Sequence, residues 1–499
     1  MINMIIPIVI IVSYMLVCIL VGYLVFKSKS GKVGSGDYFI GDRSSGPFLG
    51  PMSYIATVFS ALVFLGAVGI YSSLGISFNV FLLSEMLMVA IFVPTVGYIF
   101  WRLAHKYEYI TPADLMAHRY GDGKTIRIIV ALNTVGFMMF FMATQIVGIS
   151  YIMETITGGL LTYKWAVIII SIVLAVYIVL GGFRAVEYTD AIQVIVLTIC
   201  VVATFLFLSS KIDWTNVFVQ TQQIRPALFK APGPVPIYSM KLWVTQLFAI
   251  GLGFALMPQL WVRIYAVKTE KGLQNIVTYF IGFTFLIFAI SFFLAIASVP
   301  VLGELFTGGE KIVPAKIVMK LMFSNMPPWL AATLLTGAVA ATMSTVDSAV
   351  LAISSILTVD LYRKPFNPDM NSGKEATLGR VISVIIIIIM AFMAFYPPNL
   401  LFNSLIDVAY PGLLALAPAA ILGMFWNRAN TTAAISSIVI GSALAVYLLF
   451  FNKNPMGFYS GFWTLMVSLT VFIGITLVFS SKEEIFLPST VQSIAGNKN

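Results

Sequence analysis

Apolar residues run through this chain in long blocks, and the polar residues gather in short gaps between them. A helix needs about 20 apolar residues to cross a bilayer. Thirteen blocks meet that length: 4–26, 47–74, 77–103, 125–153, 163–182, 187–210, 240–265, 274–302, 326–356, 376–396, 399–424, 431–451 and 459–480. The pattern predicts an all-α polytopic membrane protein with about 13 transmembrane helices. Alternating ten-residue segments, the mark of a membrane barrel, are absent. The first block has no Lys or Arg in its leader MINM and ends at Lys27 rather than at a small-residue cleavage site. It therefore reads as a retained helix and not as a signal peptide.

Composition agrees. Of the 499 residues, 60% are hydrophobic and 10% charged, and the mean hydropathy is +0.98. A soluble domain carries about 25% charge, so a soluble enzyme, a nucleic-acid module and a disordered chain are excluded. Cys18 and Cys200 both sit in apolar runs, which leaves no disulfide framework. His105 and His118 share one polar gap and lack the neighbours of a metal site. The net charge of +9 matches the Lys/Arg excess of cytoplasmic loops better than nucleic-acid binding. With the N-terminus outside, inner loops hold 20 of the 29 basic residues, among them Arg43, Arg119, Arg127, Arg184 and Arg263. The remainder fall mostly in two long outer loops, 211–239 and 303–325. The expected disposition in the plasma membrane is N-terminus out, C-terminus in, with a polar tail at 486–499. No Walker A motif is present, which argues against nucleotide-driven pumping.

Two blocks carry helix-breaking residues. In the second, Ala56-Thr57-Val58-Phe59-Ser60 precedes Gly66 and Gly69; the seventh contains Gly251, Gly253 and Pro258. Pro removes a helical hydrogen bond and Gly weakens the helix. These residues can unwind a turn and bare carbonyls to a cation, or simply let helices approach closely. The sequence leaves both readings open. The two blocks lie five spans apart, as in a transporter built from two inverted five-helix repeats.

Polar side chains inside the apolar blocks are the candidate chemistry. In the ninth block Ala341, Ser344, Thr345 and Ser348 line one helix face. Hydroxyl oxygens with carbonyls suit Na⁺, whereas divalent cations recruit more carboxylates. An isolated hydroxyl more often bonds back to its own helix or to another helix. Asp347 in the same cluster raises the stakes, because an intramembrane carboxylate is costly unless paired. Asp190 in the sixth block can either interact with the dipole at its own helix start or reach the hydroxyl face of the ninth. Glu85, Gln145, Gln246, Gln259, Asp407 and Tyr410 can line a solute path or hold helices together, with Glu85 and Asp407 close enough to an interface to be hydrated.

Five segments then resemble the sodium:solute symporter family: YFIGDRSSGP, GGFRAVEYTDAIQ, PQLWVRIYAVKTEKG, AATMSTVDSAVLAISSILTVDLY and GMFWNRAN. The resemblance covers nearly the whole chain. It implies a LeuT-type inverted five-helix repeat core, with repeats at 47–210 and 240–424, an extra helix at 4–26 and two more at 431–480. It also implies a sodium site made by the carbonyls of Ala56, Phe59 and Ala341 and the hydroxyls of Ser344 and Thr345. A second cation site is implied at Asp190, Ser344, Asp347 and Ser348, with Asp347 standing where two-sodium members have Ser. The solute neighbourhood comprises Ser60, Val63, Gln145, Gln246, Met257, Gln259 and Tyr410.

The resulting expectation is a sodium-coupled secondary active symporter, not an enzyme, with no cofactor beyond Na⁺ as coupling ion. Its partners are a small solute, Na⁺ and the bilayer, with no nucleic acid and no obligate protein. The apolar first broken helix disfavours a sugar and favours an organic anion or zwitterion. The rivals are proton coupling through Asp190 or Asp347, a transporter-like solute sensor, and a channel.

Overall fold

The computed structural model describes residues 2–28, 34–60, 62–121, 123–231, 239–302, 314–397 and 405–479. The expected tail at 486–499 and parts of both long outer loops lie outside the described residues. Among the described residues nine helices are long and apolar enough to cross a membrane, or eleven when two bent pairs each count as one span. The difference from the thirteen expected runs has two sources. The second half of the 47–74 run joins the next one in Val63–Tyr107, and the fifth and sixth runs join in Tyr163–Ser209.

Gly182 lies between the fifth and sixth runs, with φ 56° and ψ −150°. Only glycine adopts that region readily. A Cβ there would meet Tyr38 at 2.6 Å. Gly182→Ala is accordingly expected to cost about 1–3 kcal/mol, read as a lowered thermal midpoint of the detergent-purified protein. An unchanged midpoint would contradict the strain.

The first broken helix runs Leu49–Ala56 and resumes at Leu62. At its end Val58 N–H turns back to the Ile55 carbonyl, three residues away, and the Thr57 hydroxyl bonds the Ser53 carbonyl at 2.8 Å. The Val58 N–H thereby leaves the i−4 helical ladder, while the Thr57 and Phe59 N–H groups still bond the Ser53 and Ile55 carbonyls. The second broken helix, Met240–Ala255 with Pro258–Ala266, bends by 53°. Its hinge follows from Pro258. Proline holds Met257 extended (ψ 128°) and starts the next helix, where its missing N–H costs nothing. Trp261 Nε1 donates to the Ala255 carbonyl at 2.7 Å, satisfying an acceptor that the break leaves over.

Gly251 and Gly253 have the other role. A Cβ at Gly251 would lie 2.3 Å from the Ser84 carbonyl oxygen, and one at Gly253 would lie 2.8 Å from Tyr410 Cβ. The glycines pack and the proline breaks. A third bend, of 41°, separates Leu405–Leu414 from Pro418–Phe425. Pro418 opens the second piece.

The Pro328–Phe366 segment is buried throughout its apolar window. It lies against Ile2–Ser28, Lys124–Ile156 and Tyr163–Ser209. Its abundance of Ala, Ser and Thr lets neighbours close in on every side. Large apolar side chains on the outside, such as Leu16, Ile91, Ile172 and Phe392, are exposed, as a lipid-facing surface requires.

Candidate functional site

Three groups of side chains meet around the first break. The first is made of neutral oxygens. Ser344 Oγ lies 2.9 Å from the Ala56 carbonyl oxygen and 2.7 Å from that of Ala341; Thr345 Oγ1 lies 3.4 Å from the same Ala341 oxygen. All four residues are buried. Phe59 is buried within the break, its N–H bonded to the Ile55 carbonyl. The last turn of one helix thus supplies a carbonyl that no following helical turn covers, and the middle of a continuous helix supplies two hydroxyls. Carbonyls and hydroxyls without a carboxylate suit a monovalent cation better than a divalent one. Among the described residues no group of three His, Cys, Asp or Glu could hold a metal ion.

The second group is ionic. Asp190 reaches the ninth-run helix: its Oδ2 lies 3.5 Å from Ser348 Oγ and accepts from Ser53 Oγ at 2.5 Å. Arg263 Nη2 lies 3.1 Å from the same Oδ2 and 2.5 Å from Ser348 Oγ. The guanidinium stacks 4.4 Å from the Phe183 ring centre. Thr57 adds a bond to Ser348 at 3.0 Å. Asp190 and Arg263 are 0% and 2% exposed, so this is a pair wholly removed from water. Asp347 points elsewhere and accepts from Tyr177 Oη at 2.6 Å. The residues expected to form a second cation site therefore divide: Ser344 joins Ala56, Asp190 and Ser348 join Arg263, and Asp347 joins Tyr177.

By residue order Arg263 reads as an inner-loop charge. It is a core residue of the second broken helix, as its apolar neighbours Trp261, Val262 and Ile264 could have signalled. Arg119 and Arg127 are likewise buried. Arg119 donates to the Gly423 and Trp426 carbonyls, and Arg127 bridges Asp114 at 2.7 Å and Asp360 at 3.0 Å. Burial pushes the Asp114 carboxyl up, but Arg127 and the N–H groups of Ile110 and Thr111 outweigh it and hold it below its usual range. Arg184 pairs with Asp37 at 2.6 Å.

The third group lines a narrow pocket beside the break. Ser60, Val63, Met257 and Tyr410 contribute to its wall, as do Thr57, Glu85, Phe81, Phe141 and Phe254. Gln145, Gln246 and Gln259 are buried but are not among its lining side chains. Gln145 bonds the Phe141 carbonyl at 3.3 Å. Glu85, expected near an interface, is 3% exposed and accepts from Tyr410 Oη at 3.0 Å. Asp407 does lie at the surface, paired with Lys453 at 2.7 Å.

Comparison with known proteins identifies the family. The model of the sodium:solute symporter family matches residues 38–441. The chain belongs to the sodium:solute symporter family. The sodium/pantothenate symporter of Escherichia coli K12 is 27% identical over 480 residues, covering 93% of this chain and 94% of that protein. Sodium/proline symporter 2 of Staphylococcus saprophyticus is 25% identical, covering 89% and 86%. Among solved structures, a Na⁺-coupled sialic acid symporter in its substrate-bound outward-open state superposes with a TM-score of 0.80 at 17% identity, covering 97% and 99%. The nucleobase-cation-symport-1 family transporter Mhp1 superposes at 0.50 with 15% identity, covering 93% and 99%. These likenesses show the fold, and it is the LeuT-type architecture that the sequence segments implied. This family member is a sodium-coupled transporter of the plasma membrane and not an enzyme.

Proposed function

We propose that this symporter imports a small organic solute, an organic anion or a zwitterion, by alternating access, driven by one sodium ion per cycle. The ion is held by the carbonyls of Ala56, Phe59 and Ala341 and the hydroxyls of Ser344 and Thr345. The observation that carries the reading is the Ser344 hydroxyl seated between the Ala56 and Ala341 carbonyls. Sodium there ties the first broken helix to the buried ninth-run helix. It favours whichever arrangement keeps the two together, and its leverage equals its differential affinity for the two states. Repeats at 47–210 and 240–424 would then rock about the cavity, with the N-terminus outside.

The coupling number rests on Arg263. The carboxylate and hydroxyl that a second sodium ion would use, Asp190 and Ser348, already hold a guanidinium. Sodium activation of uptake into proteoliposomes is therefore expected to be hyperbolic, with a Hill coefficient near 1. A coefficient approaching two, with two charges moved per solute over the solute's own, would overturn the single-ion reading. Proton coupling through Asp347, whose second carboxylate oxygen has no protein hydrogen bond, is the other reading with an observation behind it. It predicts uptake that follows pH and ignores replacement of sodium by potassium.

A further inference from the structure

Arg263 is held along one face of the sixth-run helix. Its guanidinium stacks on the Phe183 ring and binds the Asp190 carboxylate through Nη2 at 3.1 Å. Phe183 and Asp190 lie about 10 Å apart along that helix. Glu187 stands between them, one turn after Phe183 and one turn before Asp190, so all three share a face. Glu187 is buried, and its Oε1 makes no hydrogen bond to the described residues. The Nε of Arg263, also buried, makes none either. An acceptor and a donor of opposite charge, each short of a partner, thus share one stretch of helix. The other arginine on this face, Arg184, is engaged with Asp37 at 2.6 Å.

This stretch lies between the proposed sodium seat and the end of the molecule that the basic loops place in the cytosol. Ser348, which Arg263 Nη2 meets at 2.5 Å, stands one turn from Ser344 on the ninth-run helix. At the other end Gly182 packs on Tyr38 and Arg184 pairs with Asp37, both in the segment after the first helix. Asp190, Glu187 and Arg184 therefore descend from the ion seat toward the cytosol. The two broken helices are tied at that end. Ser45 N–H donates to the Ala266 carbonyl at 3.1 Å, and Lys268 N–H donates to the Ser45 carbonyl at 2.9 Å. Opening an inner path moves this tied pair against the ninth-run helix and pulls Arg263 from Ser348 and Asp190. A guanidinium left without an acid in such an interior is costly. A second acid one turn nearer the cytosol removes that cost, and one-turn shifts of packed elements are a known form of switching.

We propose that Glu187 is the second seat of Arg263: Asp190 holds the guanidinium while the inner path is closed, and Glu187 takes it when that path opens. Each arrangement pairs one acid and leaves the other, so neither is favoured by a whole ion pair, as alternation between two states requires. Glu187 touches neither ion nor solute. It acts through Arg263 as a positioning residue that sets the balance between the closed and open arrangements. The proposal rests on the symport reading and adds to it a residue that times the inner opening.

The test uses the full-length protein in nanodiscs and needs no solute. In Asp190→Asn the guanidinium is expected to turn to Glu187, and a cryo-EM structure of that variant should place the two within hydrogen-bond distance. Adding Glu187→Gln leaves Arg263 without an acid. The double variant should then lose at least about 2 °C more in thermal midpoint than the two single losses together. Glu187→Asp in place of Glu187→Gln should bring the loss back to the sum. Additive losses throughout, or an Asp190→Asn structure in which Arg263 turns elsewhere, overturn the proposal. Should the double variant fail to fold, the Asp190→Asn structure decides alone. Gating is read by hydrogen exchange at Leu49–Ala56 in sodium-free potassium buffer, where inner opening bares these amides. Glu187→Gln is expected to slow that exchange threefold or more and Glu187→Asp to keep the parental rate. An unslowed Glu187→Gln variant overturns the gating role. Failure of the sodium reading is distinguishable: exchange at Leu49–Ala56 would be equal in sodium and potassium while the double-mutant result still held.

Discussion

Ser344→Ala combined with Thr345→Ala is expected to raise the sodium concentration for half-maximal uptake by about 100-fold while the protein still inserts and folds. An oxygen contact to a charged partner is worth at least about 1.5 kcal/mol, and about 1.4 kcal/mol is tenfold in affinity, so two lost hydroxyls compound. Alanine suits the site otherwise. It is the best helix former, and both positions lie inside the long buried helix Pro328–Ser355. The internal control is Thr342→Ala. The Thr342 hydroxyl bonds the Ala338 carbonyl of its own helix at 2.7 Å, so its loss should leave sodium activation unmoved. The measurement is sodium-dependent uptake into proteoliposomes across a sodium titration. An unaltered activation curve in the double variant would remove the proposed ion site.

The second large effect concerns Arg263. Arg263→Met keeps the volume and the helix but strands the Asp190 carboxylate, 0% exposed, with hydroxyl donors alone. Breaking a buried pair by deleting one partner costs about 3–5 kcal/mol. The thermal midpoint should drop steeply, and transport with it, because the pair joins Ser53 of the first broken helix, Asp190, the second broken helix and Ser348. Adding Asp190→Asn to Arg263→Met should restore most of the stability, since replacing both charges is often neutral. A single variant as stable as the parent would mean that Asp190 finds another partner or carries no charge.

Several features could be read from residue order alone. Membrane spans are selected by a one-dimensional property, the run of apolar side chains that offsets the loss of water. Block ends therefore fall within a few residues of helix ends: 125–153 became Lys124–Ile156, and 431–451 became Thr431–Phe451. The break at Pro258 is similarly local, because a proline ring acts on its immediate neighbours. The face of Ala341, Ser344 and Thr345 follows from helical periodicity. The matching segments brought Ala56 to it, and the structure gives the distance.

What tertiary structure decided is which polar group each buried side chain meets, and how deep it lies. Arg263 reads as a loop charge until helix Pro258–Ala266 is seen folded against Asp190. Glu85 reads as an interfacial acid until Tyr410, 325 residues later in the chain, is seen donating to it. Gly251 and Gly253 leave unwinding and packing both open until Ser84 and Tyr410 are seen against them. In each case the physical cause is a contact between distant segments. A carboxylate in a low-dielectric interior is governed by the charge or dipole nearest in space, and sequence order carries no direct record of that neighbour.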